Sequence, residues 1–390
     1  MSHANGTGRM RVVVVGGGVA GAASAIALTQ AGAAVTVYEA HAEPAGPVGS
    51  FVSLAANGLR ALDALGCLPP VQAAGRAVER QRMWSGGGRL LGDVPRGRRS
   101  GDPLHSVTLM RADLVSVLRT EAARLGARIR TGERLDTTAL ERLHAADVAD
   151  LIVGADGIWS ATRRLLHPTA PEPGYAGLYT VSGESHGLDI EPDAFNMIFG
   201  RRGAFLHVPA PDGGVWWSAQ VSARTPPDPR TVGVDDLAEI FGTEQRAVAV
   251  LRATTRVHGG TLLHTLPLVR GHHDGRIVLI GDAAHPVGAG QGASMALEDA
   301  VVLAQELGRR TTTSDALAVY DRLRGDRLGK MVKAAIANRD AKTAGPVAAR
   351  LRDLIMPIVF PRMYERATGW LYDYDLGSLP TAASATAEAG

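Results

Sequence analysis

The sequence has very little cysteine, since Cys67 is the only one among 390 residues. An intrachain disulfide and a cysteine-rich metal site are therefore excluded, and we expect no metal ion. No apolar run reaches the roughly 18 to 20 residues that a helical membrane span requires. The first ten residues also lack the basic and apolar segments of a secretion signal, so we expect a cytoplasmic protein.

An excess of one charge sign is also missing. Lys and Arg total 41 against 39 Asp and Glu, which leaves a formal net charge of +2 and gives no reason to expect nucleic acid as a partner. Apolar residues make up 45% of the chain, which excludes wholesale disorder. Glycine is abundant, with 47 residues, and indicates tight turns or close approach of the backbone to a ligand.

The start of the chain predicts a βαβ unit with a dinucleotide-binding fingerprint. A buried strand, a glycine-rich turn, a helix and a second strand occur in that order, and an acid follows about 20 residues after the turn. The helix N-terminus offers free N–H groups to phosphates, and the acid accepts hydrogen bonds from ribose. The pattern alone leaves FAD and NAD both open. Its parts are Arg11 to Val15, Gly16, Gly18, Gly21 and the strand from Val35 to Glu39.

The second motif begins with a later buried strand, Leu151 to Val153, which leads into Asp156-Gly157. Asp156 is either a cofactor contact or a cap of this turn, with Ser160 as the helix N-cap and Arg163 in a surface ion pair. The sequence does not decide between these roles.

The third motif begins with another buried strand, Ile277 to Ile280. Asp282 lies at its carboxyl end, where α/β sheets bind ligands. Glycines at 290 and 292 then open a helix whose N-terminus can face an anion. The alternative for Asp282 is a local turn, and His285 fits a structural histidine better than a catalytic one.

Between these strands, residues 78–94 and 178–223 alternate in polarity and contain glycine turns, which indicates antiparallel hairpins. We therefore predict an α/β fold with a Rossmann-like parallel-sheet domain, an inserted antiparallel β-sheet domain and a C-terminal helical region. The predicted boundaries are 9–75, 107–166 and 274–312 for the first, 76–106 and 167–273 for the second, and 313–380 for the third.

Together these motifs resemble the group A flavoprotein aromatic hydroxylases, FAD-dependent monooxygenases related to para-hydroxybenzoate, salicylate and urate hydroxylases. The resemblance covers nearly the whole chain. It implies a cofactor domain of the GR2 type, FAD as cofactor, NADH or NADPH and O2 as co-substrates, and a monomer or homodimer. The implied reaction hydroxylates an aromatic or polyketide-like small molecule through a flavin C4a-hydroperoxide.

The resemblance also implies which residues contact FAD. The segment from Pro47 to Ser53 is similar to the urate-hydroxylase branch, and Met110 to Leu114 matches a helix whose arginine reaches the cofactor. The implied cofactor contacts are Gly16, Gly18, Val19, Ala20, Gly21, Glu39, Ala40, Ser53, Arg111, Leu135, Asp156, Asp282, Gly290, Gly292, Ala293 and Ser294.

The inserted sheet is expected to cover the flavin and exclude water from the reaction. We predict that Phe205 and Trp217 line the substrate pocket and that His207 orients or deprotonates a phenol. Because side chains alternate along a strand, about half of such residues face away, and each is open to the alternative of a core position.

Two departures from the family pattern limit which site features the resemblance implies for this chain. The stretch from His285 to Gly290 is about two residues shorter than usual and lacks the customary proline, and Ala204 stands where urate-type enzymes carry an arginine. A related epoxidase or reductase and a non-catalytic flavin-binding module stay open as alternatives. A plain NAD dehydrogenase is disfavoured because it does not need Gly281-Asp282, and a halogenase because no Trp-x-Trp-x-Ile-Pro occurs.

Overall fold

The computed structural model describes most of the chain. The described residues are 9–42, 50–267, 269, 271–286, 290–342 and 346–379.

A five-stranded parallel sheet forms the centre of the first region. Its middle strand, β1, is a run of valines that is buried along nearly its whole length, as expected for a strand covered on both faces. The βαβ unit predicted at the start of the chain is confirmed, and so are the two later strands beside β1. In sheet order the strands are β15 (Ile277–Leu279), β9 (Leu151–Gly154), β1 (Arg11–Val15), β2 (Ala34–Glu39) and β8 (Arg128–Thr131).

Helices and a small antiparallel sheet cover this parallel sheet. Asp136 caps one of these helices, α5, by accepting a hydrogen bond from Ala139 N. The helices are α1 (Val19–Gln30), α2 (Ala56–Ala64), α3 (Leu68–Ala74), α4 (Arg111–Arg124), α5 (Thr137–Ala145), α6 (Ala161–Leu166) and α9 (Gly292–Arg309). The small sheet contains β3 (Phe51–Leu54), β7 (Ser106–Met110) and β4 (Arg76–Val78).

A seven-stranded sheet forms the second region. The predicted hairpins are present, and Asp212 shapes one of their turns by accepting from Gly214 N. The sheet is not antiparallel throughout, because β11 pairs in parallel with β5, which comes from a distant part of the chain. In sheet order the strands are β14 (Thr254–Thr265), β10 (Gly174–Ser185), β13 (Val215–Ser222), β12 (Gly203–Pro209), β11 (Ala194–Gly200), β5 (Arg80–Ser85) and β6 (Leu90–Pro95).

The two faces of this sheet have different neighbours. Side chains on what we call the inner face pack against β3 and α9 and against two long C-terminal helices, α10 (Thr313–Lys342) and α11 (Pro346–Tyr372). Side chains on the outer face pack against two short helices, α7 (Val234–Ile240) and α8 (Gln245–Arg252). Since residues alternate between faces, neighbouring positions on one strand belong to different cores.

The C-terminal region is helical, as predicted, and α11 continues through Pro357 and Pro361. Within the described ranges, none of the helices combines the length and the apolar character that a membrane crossing needs.

Candidate functional site

The first glycine turn is shaped by the fold itself at two of its three motif positions. Gly16 has φ +96°, and a Cβ there would lie 2.4 Å from the carbonyl oxygen of Ala155. A Cβ on Gly21 would lie 1.8 Å from the carbonyl oxygen of Gly16. These two glycines therefore serve the turn and the close packing of α1 on β1.

Gly18 is different, because neither its backbone nor its packing requires glycine. Its φ of −71° and ψ of −163° are open to any residue, and a Cβ would meet nothing within 4 Å. Gly18 is also the N-cap of α1, where no side chain accepts from the first free N–H groups. A helix N-terminus bordered by open space has free N–H groups that suit an anion such as a pyrophosphate.

Glu39 lies at the carboxyl end of β2, beside this turn. Its Oε2 accepts from Gly17 N at 2.7 Å and from Arg119 Nη2 at 3.0 Å, and its Oε1 accepts from His41 N at 2.9 Å. Burial alone would raise the pKa of Glu39, but the backbone N–H groups of His41 and Gly17, the His41 ring and the Arg119 cation together hold it below its usual value. The His41 ring, 3.0 Å from Oε1, is mostly exposed and is the partner that a ribose hydroxyl could displace.

Arg119 contacts this turn, and the sequence analysis did not predict it. It lies on α4, contacts Glu39, and donates from Nε to the carbonyl oxygen of Gly17 at 2.7 Å. Its distance of 102 residues along the chain leaves no local pattern that could have revealed it.

Asp156 serves its own turn in the structure. It accepts hydrogen bonds from Ser160 Oγ and from the N and Oγ1 of Thr162, while Ser160 caps α6. The surface ion pair considered for Arg163 is wrong. Arg163 is buried and donates to the carbonyl oxygens of Ala283 and Ile158, which ties this turn to the segment after β15.

Asp282 lies in a second turn, beside the glycine turn that begins α1. We call the glycine turn the first anchoring point and the turn at Asp282 the second anchoring point. A Cβ on the preceding Gly281 would lie 2.8 Å from Ala20 Cβ, so this turn abuts the first turn of α1. Asp282 Oδ1 is 3.5 Å from the position of a Cβ on Gly292, the first residue of α9, and the cation of Arg111 acts on its carboxylate. An acceptor, a cation and a helix N-terminus therefore converge at one place.

The other predicted cofactor contacts come from several elements of the fold. Ser53 Oγ is 3.2 Å from Ser106 Oγ and accepts from Thr108 Oγ1 at 3.0 Å, and Ser294 Oγ is buried without a partner among the described residues. Ala40 follows β2, and Leu135 packs at the edge of the core that contains Val13 and Val15. Residues 43–49 and 287–289, which include parts of the segment at Pro47 and of the shortened stretch after His285, lie outside the described residues.

A buried ionic network, formed by Asn57, His285, Glu298, Asp299, Arg324 and Arg327, holds the second anchoring point. Arg324 donates to Asp299 at 2.7 Å and to Glu298 at 2.8 Å. Asp299 Oδ2 also accepts from Gly281 N at 2.9 Å and lies 2.6 Å from His285 Nε2. Burial would raise the pKa of Asp299, but His285 and Arg324 hold it well below its usual value. His285 thus occupies a structural position.

The structure places His207, Phe205 and Trp217 on the outer face, away from the anchoring points. Phe205 stacks on Trp217 and meets Phe241, which follows α7, edge to face. Burial lowers the pKa of His207 to about 4, with a further contribution from Arg246 of α8. These three residues therefore lie on the face that packs against α7 and α8, and their predicted pocket position stays a prediction without support from this arrangement. Successive residues alternate between faces, and the sequence does not say which set faces inward.

The inner face carries a different aromatic group, formed by Phe51, Phe195 and Trp216. The Phe51 ring stacks on Trp216 with centroids 6.3 Å apart and meets Phe195 edge to face at 6.2 Å. Phe51 lies on β3, two residues before Ser53, so this group borders the predicted cofactor contacts. This aromatic group lies on the opposite face of the sheet from Phe205 and Trp217.

Comparison with known proteins agrees with this geometry. Residues 9–335 match the family described as FAD binding domain. The chain is 32% identical over 401 residues to a 3-amino-4-hydroxybenzoate 2-monooxygenase of Streptomyces cremeus, which covers 95% of this chain and 99% of that protein. It is 31% identical over 344 residues to an aurachin C monooxygenase/isomerase of Stigmatella aurantiaca, which covers 83% of this chain and 87% of that protein.

Solved structures show the same fold. Klebsiella pneumoniae HpxO complexed with FAD and uric acid superposes with a TM-score of 0.76 at 22% identity, covering 94% of this chain and 98% of that one. A salicylate hydroxylase substrate complex superposes with a TM-score of 0.75 at 22% identity, covering 98% of each chain.

Proposed function

The chain belongs to the FAD binding domain family, within the group A flavoprotein aromatic hydroxylases, and from this we propose that it is an FAD-dependent monooxygenase that hydroxylates an aromatic small molecule. NADH or NADPH and O2 are its co-substrates. Relatives named for hydroxybenzoate, aminohydroxybenzoate and kynurenine support an aromatic ring as the reacting group. Polyketide-like aromatics stay within the proposal.

The observation that carries the proposal is the open space beside Gly18. A glycine that neither backbone geometry nor packing requires is explained by a group that approaches its backbone closely. The second anchoring point at Asp282 abuts the same helix turn, and a simple nicotinamide site does not need it. Two adjacent anchoring points fit the long FAD molecule.

The residues of the chain hold and shield the reacting groups. When bound, FAD supplies the transfer of electrons from NADH or NADPH to O2. The N-terminus of α1 binds the pyrophosphate, Glu39 accepts from the ribose, and Asp282 accepts from the ribityl hydroxyls. The N-terminus of α9 would favour negative charge on the bound cofactor, and the aromatic inner face would exclude water and orient the substrate.

We propose that no Ser-His-Asp set and no metal ion take part. The proposal gives His207 no catalytic role, because that residue faces α8 on the outer side of the sheet. Of the predicted cofactor contacts, Asp156 has the weakest support, since its carboxylate already accepts from Ser160 and Thr162.

The first test is whether the purified protein binds FAD and oxidises NADH or NADPH in air. We expect a flavin absorbance band in the blue, and an oxidation rate that rises when a suitable aromatic is added. Product analysis by mass spectrometry then shows one added oxygen. Bound NAD with no affinity for FAD would overturn the proposal. FAD binding without nicotinamide oxidation would favour the non-catalytic flavin-binding module.

Asp282→Ala tests the second anchoring point directly. The change removes an acceptor for the ribityl chain, and the loss of a hydrogen bond to a charged group costs about 1.5 to 3 kcal/mol. Isothermal titration with FAD should show this loss as weaker binding. Asp189→Ala is the matched control, because Asp189 is exposed in the connection between β10 and β11. Equal FAD affinity in both variants would remove Asp282 from the site.

A second candidate reaction is supported by the aurachin C monooxygenase/isomerase relative, since that name pairs oxygenation with a rearrangement. An epoxidation of the substrate ring would also add one oxygen. NMR of the isolated product separates the two, because a phenol keeps an aromatic ring with one ring proton fewer, whereas an epoxide loses ring aromaticity.

We also propose a GR2-type cofactor domain with the seven-stranded sheet inserted into it, using the boundaries given above. The strands of the parallel sheet come from separate parts of the chain, and the seven-stranded sheet comes from the intervening residues, which supports this division. A cytoplasmic location and a monomer or homodimer complete the proposal. Light scattering on the purified protein distinguishes the two oligomeric states.

A further inference from the structure

Arg96 follows directly after β6, at the inner face of the seven-stranded sheet. Its guanidinium carbon lies 3.9 Å above the centroid of the Phe195 ring. Its backbone joins the sheet to the cofactor region, because Ala56 N donates to the carbonyl oxygen of the next residue, Gly97, at 2.8 Å. The side chain therefore lies at the junction of the two regions, beside the aromatic group of Phe51, Phe195 and Trp216.

The guanidinium of Arg96 has few partners for a cation in apolar surroundings. Nη1 donates to the neutral amide oxygen of Gln81 at 2.5 Å, and Nε is buried with no partner among the described residues. The groups that act on its charge are the phenols of Tyr372 and Tyr364, on α11, and no carboxylate of a described residue is among them.

The arginines that are buried among the described residues are all compensated. Arg324 and Arg327 bind Glu298, Arg119 binds Glu39, and Arg163 donates to two carbonyl oxygens. Burial lowers the pKa of Arg96, yet an arginine stays protonated at neutral pH and cannot escape its charge as a histidine can. An uncompensated guanidinium is costly, and such a cost is retained where a ligand supplies the missing anion.

The surroundings of Arg96 fit an aromatic anion. Phe195 and Trp216 offer flat apolar surface, and a guanidinium is a planar fork that matches a carboxylate with two parallel hydrogen bonds. Met110 and Met295 belong to the same apolar core, and they adjoin the predicted cofactor contacts Arg111 and Ser294. A ring stacked in this core would lie between Arg96 and the cofactor site.

We propose that Arg96 is the residue that binds the carboxylate of an aromatic acid and so sets the substrate class, a proposal that rests on the hydroxylase function proposed above. The ring of the acid packs against the inner aromatic group, and its carboxylate supplies the anion that Arg96 lacks. Arg96 acts in recognition and takes no part in proton transfer.

The test compares pairs of ligands that have the same shape and differ in charge. Benzoate and benzamide form one pair, and 2-, 3- and 4-hydroxybenzoate with their primary amides form three more. Each is titrated into the wild-type protein, Arg96→Met and Arg96→Lys, and binding is followed by tryptophan emission, which reports with or without bound FAD. Arg80→Met is the control, because Arg80 pairs with Asp93 and lies on the opposite face from Gln81.

For at least one pair, we expect the wild type and Arg80→Met to bind the acid at least tenfold more tightly than the amide. Arg96→Met should lose this preference at least tenfold, and Arg96→Lys should keep part of it. An acid-to-amide ratio near one for every pair in the wild type would overturn the proposal, and so would a ratio that Arg96→Met leaves unchanged. Because the ratio compares two ligands on the same protein, a general loss of folding does not imitate the result.

A thermal melt adds a readout that does not depend on activity. A purely structural Arg96 should lower the melting temperature when replaced, whereas removal of an uncompensated cation should leave it unchanged or raise it. Failure of the hydroxylase function shows separately, as absent FAD binding or absent nicotinamide oxidation. If FAD binds and only neutral aromatics stimulate oxidation, the hydroxylase proposal stands and the role of Arg96 is wrong.

Discussion

Arg324, on α10, and Arg96, which follows β6, both place a guanidinium in apolar surroundings, but only Arg324 has carboxylate partners among the described residues. Both carboxylates that bind Arg324 have further partners, since Glu298 also binds Arg327 and Asn57, and Asp299 also binds Gly281 and His285. The first arrangement is complete in itself and holds the turn that leads to Asp282. The second is incomplete and lies where a substrate is expected.

His207 extends this comparison to a group that can change its charge. It is a buried residue, and its Nδ1, like the Nε of Arg96, is a buried atom with no partner among the described residues. Burial lowers its pKa to about 4, so at neutral pH it is uncharged and needs no counterion. An unpartnered histidine is therefore weak support for a functional site, whereas an unpartnered arginine is strong support, because arginine cannot lose its proton.

The largest expected effect comes from breaking the complete arrangement. Arg324→Met leaves Glu298 and Asp299 buried with one cation fewer, and removing one partner from a buried ion pair costs about 3 to 5 kcal/mol. Chemical denaturation should show this as a lower free energy of unfolding. Arg322→Met, an exposed position on the same helix, should change it by less than about 0.5 kcal/mol. A loss below about 1 kcal/mol for Arg324→Met would show that the network is not essential for stability.

The next largest effect is the pH dependence of the free energy of unfolding, which tests whether His207 is neutral in the folded protein. Between pH 6.5 and 4 the unfolded chain binds a proton at this position and the folded protein does not, so stability falls as the pH falls. For a folded pKa of about 4, the loss between pH 7 and pH 5 is about 2 kcal/mol. His207→Gln should flatten the dependence by that amount, as measured by urea unfolding at the two pH values, and should leave turnover intact. An unchanged slope would mean that the ring is charged or solvated in the folded protein.

Much of the cofactor region could be predicted because its signals are local. The valine run of β1, the glycine turn and Glu39 lie within about 30 residues of one another, and the structure forms the predicted unit from them. The ionic network and Arg96 could not be predicted, because their partners meet only after distant segments pack. Arg324 reaches Glu298 from another helix, and Arg96 meets Phe195 about a hundred residues further along the chain.

The inner and outer faces show a second limit of the sequence. Trp216 and Trp217 are adjacent and equally suited to a pocket, and strand alternation requires that they point to opposite sides. Only the positions of β3, α9 and α11 decide that Trp216 faces the cofactor region. A prediction that chose Trp217, Phe205 and His207 was consistent within itself, since all three share one face, but that face packs against α7 and α8.

The smallest expected effect on stability comes from Gly18→Ala, and it separates a position reserved for a ligand from one that the fold fills. Gly18 has a backbone conformation open to alanine, and the added methyl group would enter empty space. The free energy of unfolding without cofactor should change by less than about 0.5 kcal/mol, as at an ordinary surface position. FAD affinity should nevertheless fall at least tenfold, because the methyl group occupies the place of the pyrophosphate. Gly21→Ala is the contrasting variant, since its methyl group would lie 1.8 Å from the carbonyl oxygen of Gly16 and should destabilise the protein even without cofactor. Thermal melts and FAD titrations on both variants check the contrast, and undiminished FAD binding by Gly18→Ala would show that the phosphates do not approach the chain at this turn.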